Sequence, residues 1–260
     1  MVETTQSIGK YGFDMADKLV LITGGGTGLG LQFARVLGGA GARVLLSGRR
    51  REVLEYACTQ LLEEGVSATS LQMDVGSETS VVSAFESLAG DSPSVLINNA
   101  GTTSALMLDD LTVPEWDRVN DTNLKGAWLA GREFVKGLDS KRSGVIVNVA
   151  SVLGRSVQKG TGAYTASKAG LLHLTRQMAV EWAKFGVRAN SLLPGYYNTD
   201  IAGDFLESEA GQALVKRIPQ RRLGELPDLS GPILLLCSDA SRYMTGSSIT
   251  VDGGLGIAIV

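Results

Sequence analysis

The sequence predicts one α/β domain built on a doubly wound parallel sheet with helices on both faces. Short apolar runs recur along the chain, too short for helices and bounded by glycine or polar residues. Between them lie longer segments whose apolar residues fall at helical spacing. Strands and helices alternating at these lengths mean βαβ units, and right-handed crossovers then fix the doubly wound form.

Residues 1–16 read as an irregular arm, with Gly12 as a turn and Phe13 and Met15 as anchors, ahead of a domain over 17–260. Residues 18–23 form the first strand, followed by a glycine-rich turn. Leu31, Phe33, Ala34 and Leu37 then repeat at helical spacing, and Gly38, Gly39 and Gly41 end that helix. Residues 43–47 are the second strand. Val53, Leu54, Ala57, Leu61 and Leu62 mark the next helix, capped by Gly65. Residues 68–73 are the third strand, and Ser77 with Glu78 opens a helix carrying Val81, Val82, Phe85 and Leu88. Residues 95–97 are the fourth strand. One long helix is expected over 113–138, with Asn123 inside it, and residues 145–149 make the fifth strand. The helix holding Tyr164 runs to about Phe185, and residues 187–192 form a sixth strand ended by Pro194 and Gly195. Residues 198–223 are polar and irregular. They follow a strand C-terminus, where ligands bind in open α/β sheets, which makes them the natural lid. A helix over 227–237 and a strand over 248–251 complete the pattern, with no repeat or interdomain linker.

Composition narrows the function classes. The 260 residues are 44% hydrophobic and 20% charged, a soluble globular balance. The net charge is -3, and Arg49, Arg50 and Arg51 are the one basic block, so nucleic acid is not an expected partner. Cys58 and Cys237 lie far apart in apolar helical patterns and read as reduced thiols of a cytosolic protein. With a single histidine, His173, and two separated cysteines, no soft-ligand metal site is expected. Residues 1–16 lack the apolar stretch of a signal peptide, and no run is long enough to span a membrane.

The turn between the first strand and first helix contains Gly24, Gly26, Thr27, Gly28, Leu29 and Gly30. Glycines there let the backbone approach a pyrophosphate, and the helix N-terminus offers free N–H groups and a favourable dipole. A plain glycine turn is the other reading. NAD-binding chains commonly place an acidic residue about 20 positions after the glycines. Here the second strand ends in Ser47 and Gly48, then Arg49 and Arg50. Cations at a helix start oppose the macrodipole unless an anion sits nearby. A 2′-phosphate fits, with Arg49 as first contact and Arg50 as second, so NADP(H) is expected over NAD(H); a solvated helix start is the alternative. Asp74 and Val75 suit an adenine edge, with a helix N-cap as the competing role for Asp74. Asn98, Asn99, Ala100 and Gly101 suit a ribose-facing wall, or a buried turn held by amides, or both.

One stretch carries proton chemistry. Tyr164 and Lys168 are four apart, one turn apart on a common helix face, and Ser151 precedes them. Free tyrosine has a pKa of ~10, and a neighbouring cation lowers it.

Thr23, Gly24, Gly28 and Gly30, then Asn98 to Gly101, Ser151, and Tyr164 with Lys168, in that order and spacing, resemble the short-chain dehydrogenase/reductase family. Pro194, Gly195 and Thr199 resemble its nicotinamide-side motif. The resemblance covers residues 16–256. It implies a seven-stranded Rossmann-like sheet, a nicotinamide dinucleotide, and interconversion of a ketone and a secondary alcohol. It further implies Tyr164 as acid or base and Lys168 lowering its pKa and bonding the nicotinamide ribose. Ser151 would orient the substrate oxygen, and Asn123 would hold a relay water by distorting its helix. Tyr197 and Thr199 would meet the nicotinamide end. Many NADP-preferring members carry a basic residue where this chain has Thr27, so the NADP expectation rests on Arg49 and Arg50. Segments 218–224 and 238–246 resemble both gluconate 5-dehydrogenases and 3-oxoacyl-carrier-protein reductases. Residues 151–154 with Leu153, residues 103–108 with Leu106, Tyr196, and Leu206 in the lid would line a partly apolar pocket. The family also implies a homotetramer, with the helices of Asn123 and Tyr164 pairing at one interface and the tail from Leu255 near another. His173 is expected at the surface or an interface. A nucleotide-binding scaffold without catalysis is the different-class alternative, disfavoured by the complete Ser, Tyr and Lys set. A sugar-nucleotide epimerase would carry a longer C-terminal region.

Overall fold

Short runs rich in valine, isoleucine and leucine become the central strands, and more polar runs the edges of the sheet. They are β1 (Leu19–Thr23), β2 (Arg43–Gly48), β3 (Ala68–Gln72), β4 (Val95–Asn98), β5 (Gly144–Val149), β6 (Val187–Pro194) and β7 (Ser248–Val251). Side chains alternate across a strand, so a strand covered on both sides must be apolar throughout. β1, β4 and β5 are buried at every position, whereas the edge strands β3 and β7 are not. The computed structural model describes residues 12–138, 143–197 and 208–258. The seven strands pair in parallel in the order β3-β2-β1-β4-β5-β6-β7. The fold class and all seven expected strands are therefore present.

The helices are α1 (Gly28–Gly39), α2 (Arg51–Glu63), α3 (Glu78–Glu86), α4 (Val113–Asn120), α5 (Gly126–Lys136), α6 (Gly162–Glu181), α7 (Glu209–Arg217) and α8 (Ser230–Cys237). On one face of the sheet Phe33 and Leu37 of α1, Leu54 and Leu61 of α2, and Ile233 and Leu236 of α8 pack on Val20, Ile22, Val44 and Leu46. On the other, Ala130 and Phe134 of α5 and Met178 and Ala179 of α6 pack on Leu21, Leu96 and Ile146. The arm is anchored as expected at Met15, which is fully buried and donates its N–H to Ala40 O at 3.1 Å. Cys58 and Cys237 are buried and unbonded to each other. Leu62, expected on the inner face of α2, is 58% exposed.

The long helix expected over 113–138 is broken. α4 and α5 are joined by a π turn, Asp121–Lys125, in which the Gly126 N–H reaches back to Asp121 O. Asn120, Asp121, Thr122 and Asn123 are weak helix formers in sequence. The extra residue turns Asn123 inward. Two other helices also end differently. α6 stops at Glu181, and a short 3-10 turn, Ala183–Phe185, carries the chain to Gly186 at φ 72°. The helix expected from Pro227 begins as a 3-10 turn, Leu226–Leu229.

A polar network ties the middle of the sheet to α6. The Asn98 amide donates to Asn148 Oδ1 at 2.8 Å, Asn148 donates to Thr175 Oγ1 at 2.8 Å, and Ser191 donates to the same oxygen at 2.9 Å. These groups are buried, so breaking one link strands its partners away from water. Asn148→Ala is expected to lower the unfolding free energy by about 2–4 kcal/mol in urea titration. A loss below about 1 kcal/mol would mean that the stranded groups find other partners.

Candidate active site

The strand order reverses beside β1, whose neighbours β2 and β4 lead to opposite edges of the sheet. A crevice opens there at the C-terminal ends of the strands. Thr23, Asn99, Ser151 and Gly195 all follow or end these strands.

The glycine turn needs its glycines for two reasons. Gly24 and Gly28 adopt φ 63° and 53°. A Cβ on Gly30 would lie 2.3 Å from Gly24 O and 2.7 Å from Asn99 Nδ2. Asn99 holds the turn in place: its amide donates to Thr23 O and Gly24 O, each at 3.0 Å. Thr23 Oγ1 in return accepts from the Asn99 and Ala100 N–H groups at 3.0 Å. Of the two readings of Asn98 to Gly101, the amide-held turn is what the protein's own contacts display. Thr27, at the N-cap of α1, makes no side-chain cap, and the first turn of α1 carries no acidic residue. That end of the helix keeps its partial positive charge.

Arg49 and Arg50 are exposed, and among the described residues neither guanidinium has an ion pair; Arg51 is paired with Glu55 at 2.7 Å. Gln72 fixes the backbone here by donating to Arg49 O at 2.9 Å. Asp74 is not the N-cap of α3. Ser77 takes that role by accepting from the Ser80 N–H. Asp74 Oδ1 instead accepts from its own turn at the Gly76 N–H, 3.0 Å away. Val75 is buried against Gly126, where a Cβ would come within 2.9 Å. Gly26 lies against Val53, while Leu29 packs toward the α1 core cluster.

Ser151 Oγ accepts from the Leu153 N–H at 3.1 Å and so starts the short turn Val152–Gly154. Lys168 is buried, donates to Val149 O at 2.8 Å, and holds its Nζ 5.6 Å from the centre of the Tyr164 ring. Burial pushes the Lys168 ammonium down to about 8. Tyr164 is raised above the ordinary phenol value, chiefly by burial, with Ser151 pulling the other way. The expected lowering of Tyr164 by Lys168 is thus not seen among the protein's own groups: the lysine points at a backbone oxygen, and desolvation of the phenol dominates. Gly101 sits between two site residues, for a Cβ there would lie 3.5 Å from Asn123 Oδ1 and 3.6 Å from Lys168 Nζ.

Asn123 is 1% exposed, which excludes an ordinary solvent-facing helix position. Its side chain is fully engaged. Oδ1 accepts from the Thr102 N–H at 2.8 Å, and Nδ2 donates to Thr102 O at 2.9 Å and Ser167 Oγ at 3.0 Å. Ser167 Oγ then donates to Tyr164 O at 2.7 Å. Ser167 was not legible in the sequence, where it is one more hydroxyl on an amphipathic helix.

Pro194 ends β6, and Gly195 lies so close to Asp252 that a Cβ would meet its Cα at 2.7 Å. Tyr196 is half-buried and donates its hydroxyl to Gln158 Oε1, bridging the start of the expected lid to the loop before α6. Burial raises its phenol pKa, as does the charge of Tyr164. The Tyr197 side chain, expected at the nicotinamide end, turns into the core instead. It covers Gly224 and donates to Val251 O at 3.0 Å, and burial pushes its pKa upward. Only its backbone remains for a ligand. Thr199 and Leu206 lie outside the described residues. Of the rest of the lid, α7 is an N-capped helix, with Ser208 Oγ accepting from the Gly211 N–H at 3.1 Å. Leu106 is 38% exposed and Leu108 72%, on a segment that packs against Gly162. His173 is exposed.

Comparison with known proteins agrees with this architecture. A family model described as enoyl-(acyl carrier protein) reductase matches residues 24–256. The chain is 31% identical over 250 residues to gluconate 5-dehydrogenase of Gluconobacter oxydans, covering 95% of this chain and 98% of that one. It is 32% identical over 241 residues to the 3-oxoacyl-[acyl-carrier-protein] reductase of Aquifex aeolicus, covering 92% and 97%. The crystal structure of a gluconate 5-dehydrogenase from Burkholderia cenocepacia, in complex with NADP and tartrate, superposes with a TM-score of 0.92 at 30% identity, covering 95% and 98%. The chain belongs to the short-chain dehydrogenase/reductase family and is an oxidoreductase acting on CH–OH groups.

The titration of Lys168 gives a test with a fixed sign. Between about pH 8 and the ordinary lysine range, the unfolded chain holds a proton that the folded chain has released. Raising the pH through that window therefore favours the folded state. Measured by urea unfolding at about pH 7 and about pH 10, wild-type stability relative to Lys168→Met is expected to rise with pH. A flat or falling difference would contradict the buried, lowered lysine.

Proposed function

We propose that this chain interconverts a ketone and a secondary alcohol with NADP(H), using Tyr164 as the acid or base. The observation that carries the reading is the convergence of Ser151, Tyr164, Lys168 and the inward-turned Asn123 segment on one crevice with the glycine turn. The residues fit a dinucleotide. The cradle at Gly24 and Gly30 has no room for a side chain. The N-terminus of α1 would take the pyrophosphate. Asp74 and Val75 would meet the adenine, and Lys168 the nicotinamide ribose. When bound, the dinucleotide supplies or takes the hydride.

In the reductive direction Tyr164 gives its proton to the carbonyl oxygen while Ser151 donates a hydrogen bond to the same atom. Lys168, charged below about pH 8, favours the resulting phenolate. Because the Asn123 amide is fully engaged, a relay water would use a backbone oxygen of the π turn, whose wider hydrogen-bond spacing frees a carbonyl. NADP(H) over NAD(H) rests on the unpaired Arg49 and Arg50, and the NADP in the related structure supports it.

The substrate reading divides in two. Leu106, Leu108 and Leu153 favour an apolar ketone. The Tyr196–Gln158 pair supplies polar groups and favours a hydroxylated one, as the name of the gluconate relative also suggests. A homotetramer is supported by an open, mainly apolar hollow lined by Leu124, Trp128, Gly170 and Leu174, between the π turn with α5 on one side and α6 on the other. The two buried free thiols suit a cytoplasmic setting.

Tyr164→Phe is expected to lower kcat by about a hundredfold or more while the NADPH Kd changes by less than about threefold. Stopped assays with a panel of ketones and sugar acids check this, and retained turnover would reject Tyr164 as the proton carrier. For the cofactor, kcat/KM with NADPH is expected to exceed that with NADH by at least about tenfold, and Arg49→Ala should erase most of that ratio. A preference for NADH would overturn the assignment of the two arginines.

A further inference from the structure

Arg118 lies on α4, outside every residue set assigned above. Its guanidinium makes three kinds of contact at once. Nη1 donates to Thr102 Oγ1 at 2.5 Å, and Nη2 donates to Thr103 O at 2.8 Å. Nε and Nη2 grip the two oxygens of Glu115 at 3.1 and 2.9 Å. Glu115 is itself set at the start of α4, where its N–H donates to Thr112 Oγ1.

Thr102, which Arg118 holds, also holds Asn123. Thr102 exchanges both backbone hydrogen bonds with the Asn123 amide. Residues 99–111 belong to no strand or helix, so side-chain contacts do much to fix their position. Asn123 grips this segment from the buried side and Arg118 from the solvent side. Both residues sit within the same broken helix, five positions apart across the π turn. The arrangement is expensive for a surface cation if stability were its purpose, because exposed ion pairs contribute only about 0–1 kcal/mol. Its geometry serves position instead. The fork of the guanidinium bonds a hydroxyl and a carbonyl of consecutive residues while its other edge grips Glu115, a spread of planar donors that a lysine's single nitrogen does not match.

We infer that Arg118 is a positioning residue for proton return to Tyr164: it clamps Thr102 and Thr103 and thereby fixes Asn123 and the π turn behind the tyrosine. The inference rests on the acid–base reading proposed above. Through Ser167, which binds both the Asn123 amide and Tyr164 O, a shift of Thr102 reaches the helix turn that carries the tyrosine.

The test uses the full chain, NADPH and whichever ketone of the panel is turned over fastest. Arg118→Met is expected to lower kcat about ten- to a hundredfold, in line with the cost of small misplacements at a reacting centre. NADPH affinity should stay within about twofold. The solvent deuterium isotope effect on kcat should grow, because proton return becomes slower than hydride transfer. Arg118→Lys should recover only part of the loss. Thr102→Val, which removes the hydroxyl that Arg118 binds but leaves the backbone, should reproduce part of the same isotope signature. Unchanged kcat and isotope effect in Arg118→Met would overturn the inference, as would a fall in kcat with an unaltered isotope effect, which marks a general loss of structure. Asn123→Ala separates the two levels. If it is impaired while Arg118→Met is not, only the role of Arg118 fails; if it retains full turnover, the relay reading fails and the role of Arg118 with it.

Discussion

The hydrogen bonds of one buried amide set the geometry on which the candidate site depends. Asn123 spends its oxygen on Thr102 and its nitrogen on Thr102 and Ser167, in a place where an unpaired amide would be costly. To bring that side chain inward, the helix takes in an extra residue as a π turn. The same bonds fix the otherwise irregular wall at residues 99–111 and tie it to the helix of Tyr164 and Lys168. A local irregularity in one helix thereby coordinates a loop and a second helix.

The sheet supplies the second constraint. Parallel strands bring all their C-terminal ends to one edge, and the reversal of strand order beside β1 opens that edge into a crevice. The polar ladder of Asn98, Asn148, Thr175 and Ser191 runs beneath it inside an apolar core. Such a network specifies register more than it adds stability, since its bonds form together only when β4, β5, β6 and α6 stand in one alignment.

Much of this was legible in the sequence. Periodicity placed the seven strands, because a strand buried on both faces is mainly apolar, as β1 and β5 are. Glycine placement marked the tight turn at Gly24 and Gly30, and family spacing picked out Ser151, Tyr164 and Lys168 as candidates. What escaped were features decided by tertiary contact. The break at Asp121–Lys125 leaves the apolar period almost intact, so the pattern alone reads as one helix, and only the family resemblance, with Asn123 distorting its helix, pointed to it. Tyr197 sits beside Tyr196 in sequence, but alternation at the strand end sends one ring to the core and the other to the crevice. Ser167 and Arg118 are ordinary in composition and become informative only through the atoms they meet. The pKa of Tyr164 also went the other way from the charge argument, because burial, which sequence spacing does not report, outweighs it.

Gly195 and Asp252 meet at a separation too small for any side chain on the glycine. The floor of the crevice is therefore built from β6 and from a segment that follows β7 much later in the chain. β7 also receives the register of β6 through Asn190, whose side chain bonds Met244 O and the Ser247 N–H. During synthesis on the ribosome, the glycine turn and the Ser151 to Lys168 region emerge long before this closing segment. The crevice therefore acquires a complete floor only when β7 docks, and the segments made first depend for it on one made much later.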